Sequence, residues 1–330
     1  MDQPPLELTT ELERWPLRTP FRIAGRTWGS LEVLVVTLER DGRRGRGEAA
    51  GVFYRQETAR SILKEVEGLQ KRVEAGIDRV GLKKLLPPGG ARNALDCALW
   101  DLEARLAERP AWQLAGLEAP RALLTTYTCG ADTPEMMAQT AIGYREARAI
   151  KVKLLGDGLD AERVRAVRGA RPEVWLGVDA NQALNRVSLE RLLPALTDAD
   201  VKLIEQPFPL GQEMLLDGFR SPIPVAADES VQCLADIAGL ADRFQVINIK
   251  LDKCGGLTEG LEMARKAREH GLETMVGNML GTSLAMAPAY LVGQLCRIVD
   301  LDGPIFLKSD RSIAARYQDG KIVCPADLWG

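Results

Sequence analysis

The 330-residue sequence predicts an α/β protein: a parallel (β/α)8 barrel of the TIM type carrying an N-terminal α+β capping domain. Two patterns predict it. From about residue 121, eight strand-like runs alternate with helical stretches, the rhythm of successive β-α units. Before that point, three strands are followed by helices, the order of a separate α+β module. A doubly wound sheet is disfavoured because no glycine-rich phosphate loop follows any strand. A chain of this length should form one large domain and a smaller one. The expected division is residues 1–118 for the cap, 119–305 for the barrel, and 306–330 for a C-terminal segment packing back on the cap.

In the cap, "LELTTELERW", "LEVLVVTLERDG" and "RGRGEAA" read as strands, with Asp41-Gly42 supplying the last turn. The clearest helix is "ARNALDCALWDLEARLAERP", where Leu95, Leu99, Leu102 and Leu106 form one apolar stripe before Pro110 stops it. The barrel strands are "ALLTTYTCG", "AIKVKLL", "VWLGVDA", "VKLIEQP", "IPVAADES", "FQVINIKL", "LETMVGN" and "RIVDLDG". Between them lie helical stretches such as "PEMMAQTAIGYREA", "DAERVRAVRGA" and "LTEGLEMARKAREHG".

Composition removes several function classes. A formal net charge of −3 without a long basic run gives no electrostatic case for nucleic acid or an anionic membrane surface. No apolar stretch approaches the ~20 residues of a membrane-spanning helix. The start, "MDQPPLELTT", lacks the basic and apolar regions of a signal peptide. The six cysteines include no CxxC pair, so reduced thiols in a cytoplasmic protein are expected. A homo-oligomer is compatible with this composition. The single histidine, His270, sits at a helix end before a glycine, where a structural role is usual. Ser-His-Asp and Cys-His catalysis and histidine-rich metal sites are therefore disfavoured. Proton chemistry must use lysine, carboxylate or tyrosine.

Lys153, Asp179, Glu205, Asp228 and Lys250 stand at or near the C-terminal ends of successive strands, at spacings of 26, 26, 23 and 22 residues. Each gap is about one β-α unit, so all five return to the rim where barrel enzymes hold their active sites. Three carboxylates converging from consecutive strands ("VDAN", "IEQP", "ADES") would repel each other without a cation. An all-oxygen donor set suits Mg²⁺, one per subunit. In "KVK", Lys151 and Lys153 share a face, with Lys153 nearer the rim. In "INIKLDK", strand alternation groups Asn248, Lys250 and Asp252 and sends Lys253 the other way, so Lys250 is preferred. Burial, a neighbouring ammonium and a nearby metal cation each lower a lysine pKa. Lys153 and Lys250, on strands 2 and 6, would face each other across the barrel. Two such bases can remove a proton from one face of a carbon and return it to the other, with Mg²⁺ holding the enediolate. Near the chain end, "DLDGP" places Asp300 and Asp302 on one side of the eighth strand, a like-charged pair awaiting a cation.

The set "KVK", "VDAN", "EQP", "ADES" and "NIKLDKCGG" resembles the muconate-lactonising branch of the enolase superfamily over nearly the whole chain, which implies an enolase-like barrel and cap. "DLDGP", "ARNALDCALWDL" and "INIKLDKCGGLTE" are similar to the dipeptide epimerases of that branch, above all those acting on L-Ala-D/L-Glu. The resemblance implies Asp179, Glu205 and Asp228 as Mg²⁺ ligands and Lys153 and Lys250 as the two bases. Lys151 would hold the substrate carboxylate, and Asp300 and Asp302 the α-ammonium of a dipeptide. Mobile cap loops near residues 16–30 and 49–58 would close over the barrel mouth. Thr128 at the first strand, with Asn278, Met279 and Ser283 in "VGNMLGTS", complete the expected substrate-binding set. One departure concerns "PLRTPFRIAGRTWGS": Trp28 stands where the Ala-Glu enzymes carry an arginine for the substrate glutamate, and Arg26 lies two residues earlier. Arg26 would favour an acidic second residue, Trp28 an apolar or aromatic one. N-acylamino acid racemisation, o-succinylbenzoate synthesis and cycloisomerisation share the metal and lysines, but their substrates have no free α-ammonium for the Asp300/Asp302 pair. A Schiff-base lyase and a non-catalytic binding protein are the more distant alternatives.

Overall fold

The computed structural model describes residues 5–23 and 25–330. Residues 1–4 of the expected cap and Ala24 of the expected 16–30 loop lie outside the described residues. Glu7–Ile23, Arg26–Arg40 and Arg43–Ala49 form an antiparallel three-stranded sheet. Its central strand is buried on both faces: Leu31, Val33 and Val35 join the barrel-side core, while Leu34, Val36 and Leu38 join the core under the cap helices. The helix Gly90–Leu106 packs directly on the third strand because Gly45 and Gly47 carry no side chain. A Cβ there would lie 2.2 Å from Leu102 N and 2.0 Å from Ala94 O.

Rather than presenting a single apolar stripe, this helix is buried nearly all round. Leu95, Leu99 and Leu102 enter the cap core, whereas Cys97, Trp100 and Ala104 enter the barrel-side core. Leu106, expected in the stripe, is exposed at the helix end. The 16–30 segment, expected as a loop, is more regular than that, and its Phe21, Ile23, Arg26 and Trp28 line the barrel-mouth cavity. It is the end of a β-hairpin, irregular between Pro16 and Phe21 and then paired Phe21↔Trp28 and Ile23↔Arg26. Residues 49–58 do form a loop, with a 3-10 turn at Phe53–Arg55.

The barrel strands are Tyr127–Cys129, Ala149–Lys153, Trp175–Asp179, Val201–Glu205, Val225–Ala227, Val246–Ile249, Glu273–Val276 and Ile298–Val299. Neighbours pair in sequence order in a curled, all-parallel sheet. Thr126 N donates to Val299 O at 2.9 Å, linking the first strand to the last. Leu203, Ala226, Val246 and Met275 form a small core inside the ring, below the site. Two units depart from regular β/α alternation. A 3-10 turn at Glu213–Leu216 replaces a helix after the fourth strand, and another at Gly303–Phe306 replaces one after the eighth. There the chain turns to the cap instead, where Leu17 bridges to Leu307 and Lys308 N donates to Pro16 O at 2.9 Å.

The C-terminal segment touches both parts. Arg316–Gln318 pairs with Lys321–Val323, which in turn pairs with Leu123–Leu124 ahead of the first barrel strand. Farther on, Trp329 Nε1 donates to Arg46 O at 2.8 Å in the cap. Among the described residues, no helix is long and apolar enough to cross a membrane.

Candidate active site

In Ala149–Lys153, Ile150 and Val152 pack in the core behind the sheet, so the alternate residues Lys151 and Lys153 point into the barrel. Asp179 and Glu205 end the third and fourth strands, and Asp228 and Lys250 immediately follow the fifth and sixth. One carboxylate oxygen from each of Asp179, Glu205 and Asp228 lies within 4.8 Å of the others, and all three side chains are buried. Lysines surround them. Lys153 Nζ lies 2.5 Å from Asp179 Oδ2 and Lys250 Nζ 2.6 Å from Asp228 Oδ2. Lys151 Nζ donates to Glu205 Oε2 at 3.1 Å and also to Asp300 Oδ2.

Strand alternation misplaces Lys253. The sixth strand stops at Ile249, and Leu251–Cys254 form a helical turn. Lys253, three residues after Lys250, therefore folds back beneath the site, as i and i+3 do in a helical turn. Its Nζ donates to Asp228 Oδ1 at 2.6 Å, Asp228 O at 2.6 Å and Asn248 O at 3.0 Å. Asp252, expected beside Lys250, turns to the cap instead and accepts from Ala50 N at 3.0 Å and Gly51 N at 3.3 Å. Strand spacing does not single out three further residues that stand within "EQP", "VDAN" and "ADES". Gln206 Oε1 accepts from Asp228 N at 2.9 Å, Asn181 Oδ1 accepts from Lys153 Nζ at 3.0 Å, and Glu229 lines the cavity beside Asp228. Their signal was adjacency to a ligand, which names a residue without giving its direction.

The charges do not close by themselves. Asp179, Glu205, Asp228, Glu229, Asp300 and Asp302 are all buried, against the buried lysines Lys151, Lys153, Lys250 and Lys253. The excess is two formal negative charges, the charge one divalent cation balances. Burial, reinforced by Asp179, pushes Glu205 up to about 8. Burial also pushes Glu229 up to about 7, with Asp228 adding to it. Burial works against charge on Asp228 too, yet Lys250 and Lys253 outweigh it and hold this carboxyl well below the usual range. Burial would lower Lys250, but Asp228 and Glu205 prevail and raise it. Three converging oxygen donors, each of them poorly ionised or tied to lysine without a metal, fit a hard divalent ion such as Mg²⁺.

Asp300 and Asp302 lie just beyond the eighth strand, not within it. The two are not equivalent. Asp300 already answers Lys151 and Thr126; these outweigh its burial and lower its pKa. Asp302 accepts from Thr128 N at 2.7 Å and, at 3.4 Å, from Asn278 Nδ2. Burial, with Asp300 beside it, pushes Asp302 up to about 6, so it is the member still short of a cation.

A cavity of about 460 Å³ joins these groups to the cap. Its lining includes Thr128, Lys151, Lys153, Lys250, Asn278, Met279, Asp300 and Asp302, together with Arg26, Trp28, Phe53 and Tyr54 from the cap. Tyr54 is tied down by Gln232 Nε2 at 3.0 Å. Arg26 and Trp28 act together. The Arg26 guanidinium carbon sits 5.0 Å from the Trp28 ring centroid and 5.2 Å from that of Phe53. Trp28 and Arg26 thus line the cavity together, the ring stacked against the guanidinium. Arg60 is neutralised by Glu32 at 2.7 Å, whereas among the described residues no carboxylate pairs with Arg26. Ser283 is not part of this cavity. It begins the helix Ser283–Gly293, donates its hydroxyl to Asp310 and accepts from Ala315 N at 2.8 Å, under the C-terminal segment. Cys254 is no nucleophile: burial pushes its thiol up to about 12. His270 caps its helix, with Nδ1 3.0 Å from Lys266 O.

Comparison with known proteins agrees with this geometry. Residues 6–116 match the mandelate racemase / muconate lactonizing enzyme N-terminal domain, and residues 135–321 match the enolase C-terminal domain-like family. The L-Ala-D/L-Glu epimerase of Escherichia coli is 38% identical, over 94% of this chain and 97% of its own. An N-acetyl-D-glutamate racemase from Pseudoalteromonas is 42% identical over 74% of this chain and 78% of its own. An Agrobacterium tumefaciens enolase family member with homology to dipeptide epimerases, solved with sodium and L-Ala-L-Glu, superimposes with a TM-score of 0.95 at 39% identity, covering 99% of this chain and 100% of its own. A Methylococcus capsulatus dipeptide epimerase complexed with Mg and L-Arg-D-Lys gives 0.89 at 30% identity, covering 97% of both chains. With both domains matched and the barrel rim built of these carboxylates and lysines, the chain belongs to the mandelate racemase / muconate lactonizing enzyme family of the enolase superfamily.

Proposed function

We propose that the protein is a Mg²⁺-dependent dipeptide epimerase that inverts the α-carbon of the second residue, with an acidic second residue as in L-Ala-D/L-Glu. The observation that carries the reading is one cavity holding two lysines beside a carboxylate triad and a separate buried acidic pair, Asp300 and Asp302. Asp179, Glu205 and Asp228 would hold the metal, which supplies positive charge beside the substrate carboxylate. Lys151 faces the same carboxylate. Lys153 and Lys250 stand on opposite sides of the triad; one removes the α-proton and the other returns a proton to the opposite face. Asp302, with Asp300 behind it, receives the dipeptide's α-ammonium and anchors the end that does not react. The cap hairpin and the Phe53–Arg55 turn shield the reacting carbon from water. All six cysteines are free, which supports a reducing compartment, proposed to be the cytoplasm.

The N-acetyl-D-glutamate racemase relative makes N-acylamino acid racemisation the second reading. Deuterium uptake from D₂O separates them. L-Ala-L-Glu should exchange its second α-proton faster than N-acetyl-L-Ala-L-Glu and N-acetyl-L-Glu by ~10²-fold, the cost of leaving a buried carboxylate unpaired. Faster exchange of the acetylated compounds overturns the dipeptide assignment.

Arg26 sets the side-chain preference. Its guanidinium, stacked on Trp28 and Phe53, lines the cap end of the cavity and pairs with no carboxylate among the described residues. Arg26→Ala should lower kcat/KM for L-Ala-L-Glu by ~10–100-fold, the usual weight of a charge-assisted hydrogen-bond pair. For L-Ala-L-Leu the change should stay within about threefold, since no charge pair is lost there. Equal losses on both substrates would place specificity elsewhere.

A further inference from the structure

We propose that Asn181, backed by Glu229, is the positioning residue for Lys153, so that the two bases have separate supports and one stereochemical direction can be impaired without the other. This rests on the two-base reading above. Asn181 follows the third barrel strand with φ 41°, and Gln182 follows with φ 70°. Asparagine tolerates this left-handed region better than most residues. The turn brings Asn181 N to Asp179 Oδ1 at 2.8 Å and leaves the side-chain amide between two charged groups. Lys153 Nζ donates to Asn181 Oδ1 at 3.0 Å, and Asn181 Nδ2 reaches Glu229 Oε1 at 3.4 Å. Only one orientation of the amide serves both, because an ammonium can only donate and a carboxylate only accept.

Glu229 has no other evident task. It is 2% exposed, it is not one of the three converging carboxylates, and its Oε2 has no hydrogen-bond partner among the described residues. Lys250 is supported differently. Its Nζ donates to Asp228 Oδ2 at 2.6 Å, while Lys253 holds Asp228 Oδ1 and the Asp228 carbonyl, each at 2.6 Å. Among the described residues, neither Asn181 nor Glu229 hydrogen-bonds Lys250. Without the amide, Lys153 keeps Asp179 as its partner and swings more freely on its four-carbon stem. Misplacing a reacting group by about 1 Å can cost ~10²-fold in rate.

The test is α-proton exchange in D₂O, measured separately from L-Ala-L-Glu and L-Ala-D-Glu. Lys153→Ala and Lys250→Ala identify which isomer each lysine deprotonates. Asn181→Gly, which keeps the left-handed backbone at no steric cost, should slow exchange from the Lys153 isomer by ~10–100-fold. Exchange from the Lys250 isomer should change by less than about threefold, because that base keeps its own support. Glu229→Leu should give the same asymmetry, smaller. Asn181→Asp offers Lys153 an acceptor but sets two carboxylates against each other; adding Glu229→Gln restores the donor–acceptor order and should recover the Lys153 isomer. Equal losses from both isomers, a larger loss from the Lys250 isomer, or wild-type exchange in Asn181→Gly overturns the proposal. If Asn181→Gly does not fold, Glu229→Leu and the Asp/Gln pair decide by the same asymmetry. Wild-type protein that exchanges neither dipeptide refutes the epimerase reading itself. The positioning role fails separately, when wild-type exchange is present and the asymmetry is absent.

Discussion

Lys153→Ala should abolish α-proton exchange from one epimer of the dipeptide, by ~10²–10⁴-fold, the usual weight of a positioned acid–base group. Exchange from the other epimer should survive within about tenfold, because its own base remains. Lys250→Ala should give the mirror pattern. Net epimerisation should disappear in both variants, since each turnover needs one lysine to take the proton and the other to return one. The prediction follows from placement: the lysines come from the second and sixth of eight strands and grip the two ends of the carboxylate triad, Asp179 and Asp228. NMR-monitored deuterium uptake, one pure isomer at a time, gives the result. Small and equal losses for both isomers would leave no two-base mechanism.

Removing the metal should cost at least ~10³-fold in exchange for either isomer, because several kcal/mol of charge stabilisation are withdrawn from both half-reactions together. Glu205→Gln should behave the same way. The pH dependence has a definite sign. Burial and Asp179 push Glu205 up to about 8 in the metal-free site, so near pH 7 this ligand holds a proton. Binding Mg²⁺ must displace that proton, so the apparent affinity should rise with pH until it levels near pH 8. Titrations by calorimetry in buffers of different ionisation enthalpy should detect proton release near pH 7. Affinity that is flat between pH 6 and 8.5 would mean that the carboxylates are already ionised. Full activity in Glu205→Gln would remove this residue from the ligand set.

The legible parts of this site were those controlled by strand period. "KVK", "VDAN" and "VKLIE" place polar residues at the C-terminal ends of apolar runs, and each such residue points into the ring. The alternation rule failed where the strand had ended. Lys253 and Asp252 lie in a helical turn, so one folds under Asp228 and the other reaches the cap loop. Asp300 and Asp302 lie past Val299, and there the like-charged pair is resolved in part by Lys151, a lysine 149 residues away in sequence. The helix Gly90–Leu106 shows the same limit: its stripe named one buried face, and the second came from the barrel packed on its other side.

By itself the sequence determined the barrel with its cap, the strand-end carboxylates and lysines, and the absence of a histidine-based alternative. These depend on local period and residue type, which the chain carries before it folds. Only the tertiary structure decided which ammonium answers which carboxylate, that Trp28 stacks against Arg26, and that Asn181 joins Lys153 to Glu229. Such pairings turn on distances of a few ångströms between residues from different strands and loops. No spacing along the chain encodes them, because closure of the ring and the seating of the cap set them together.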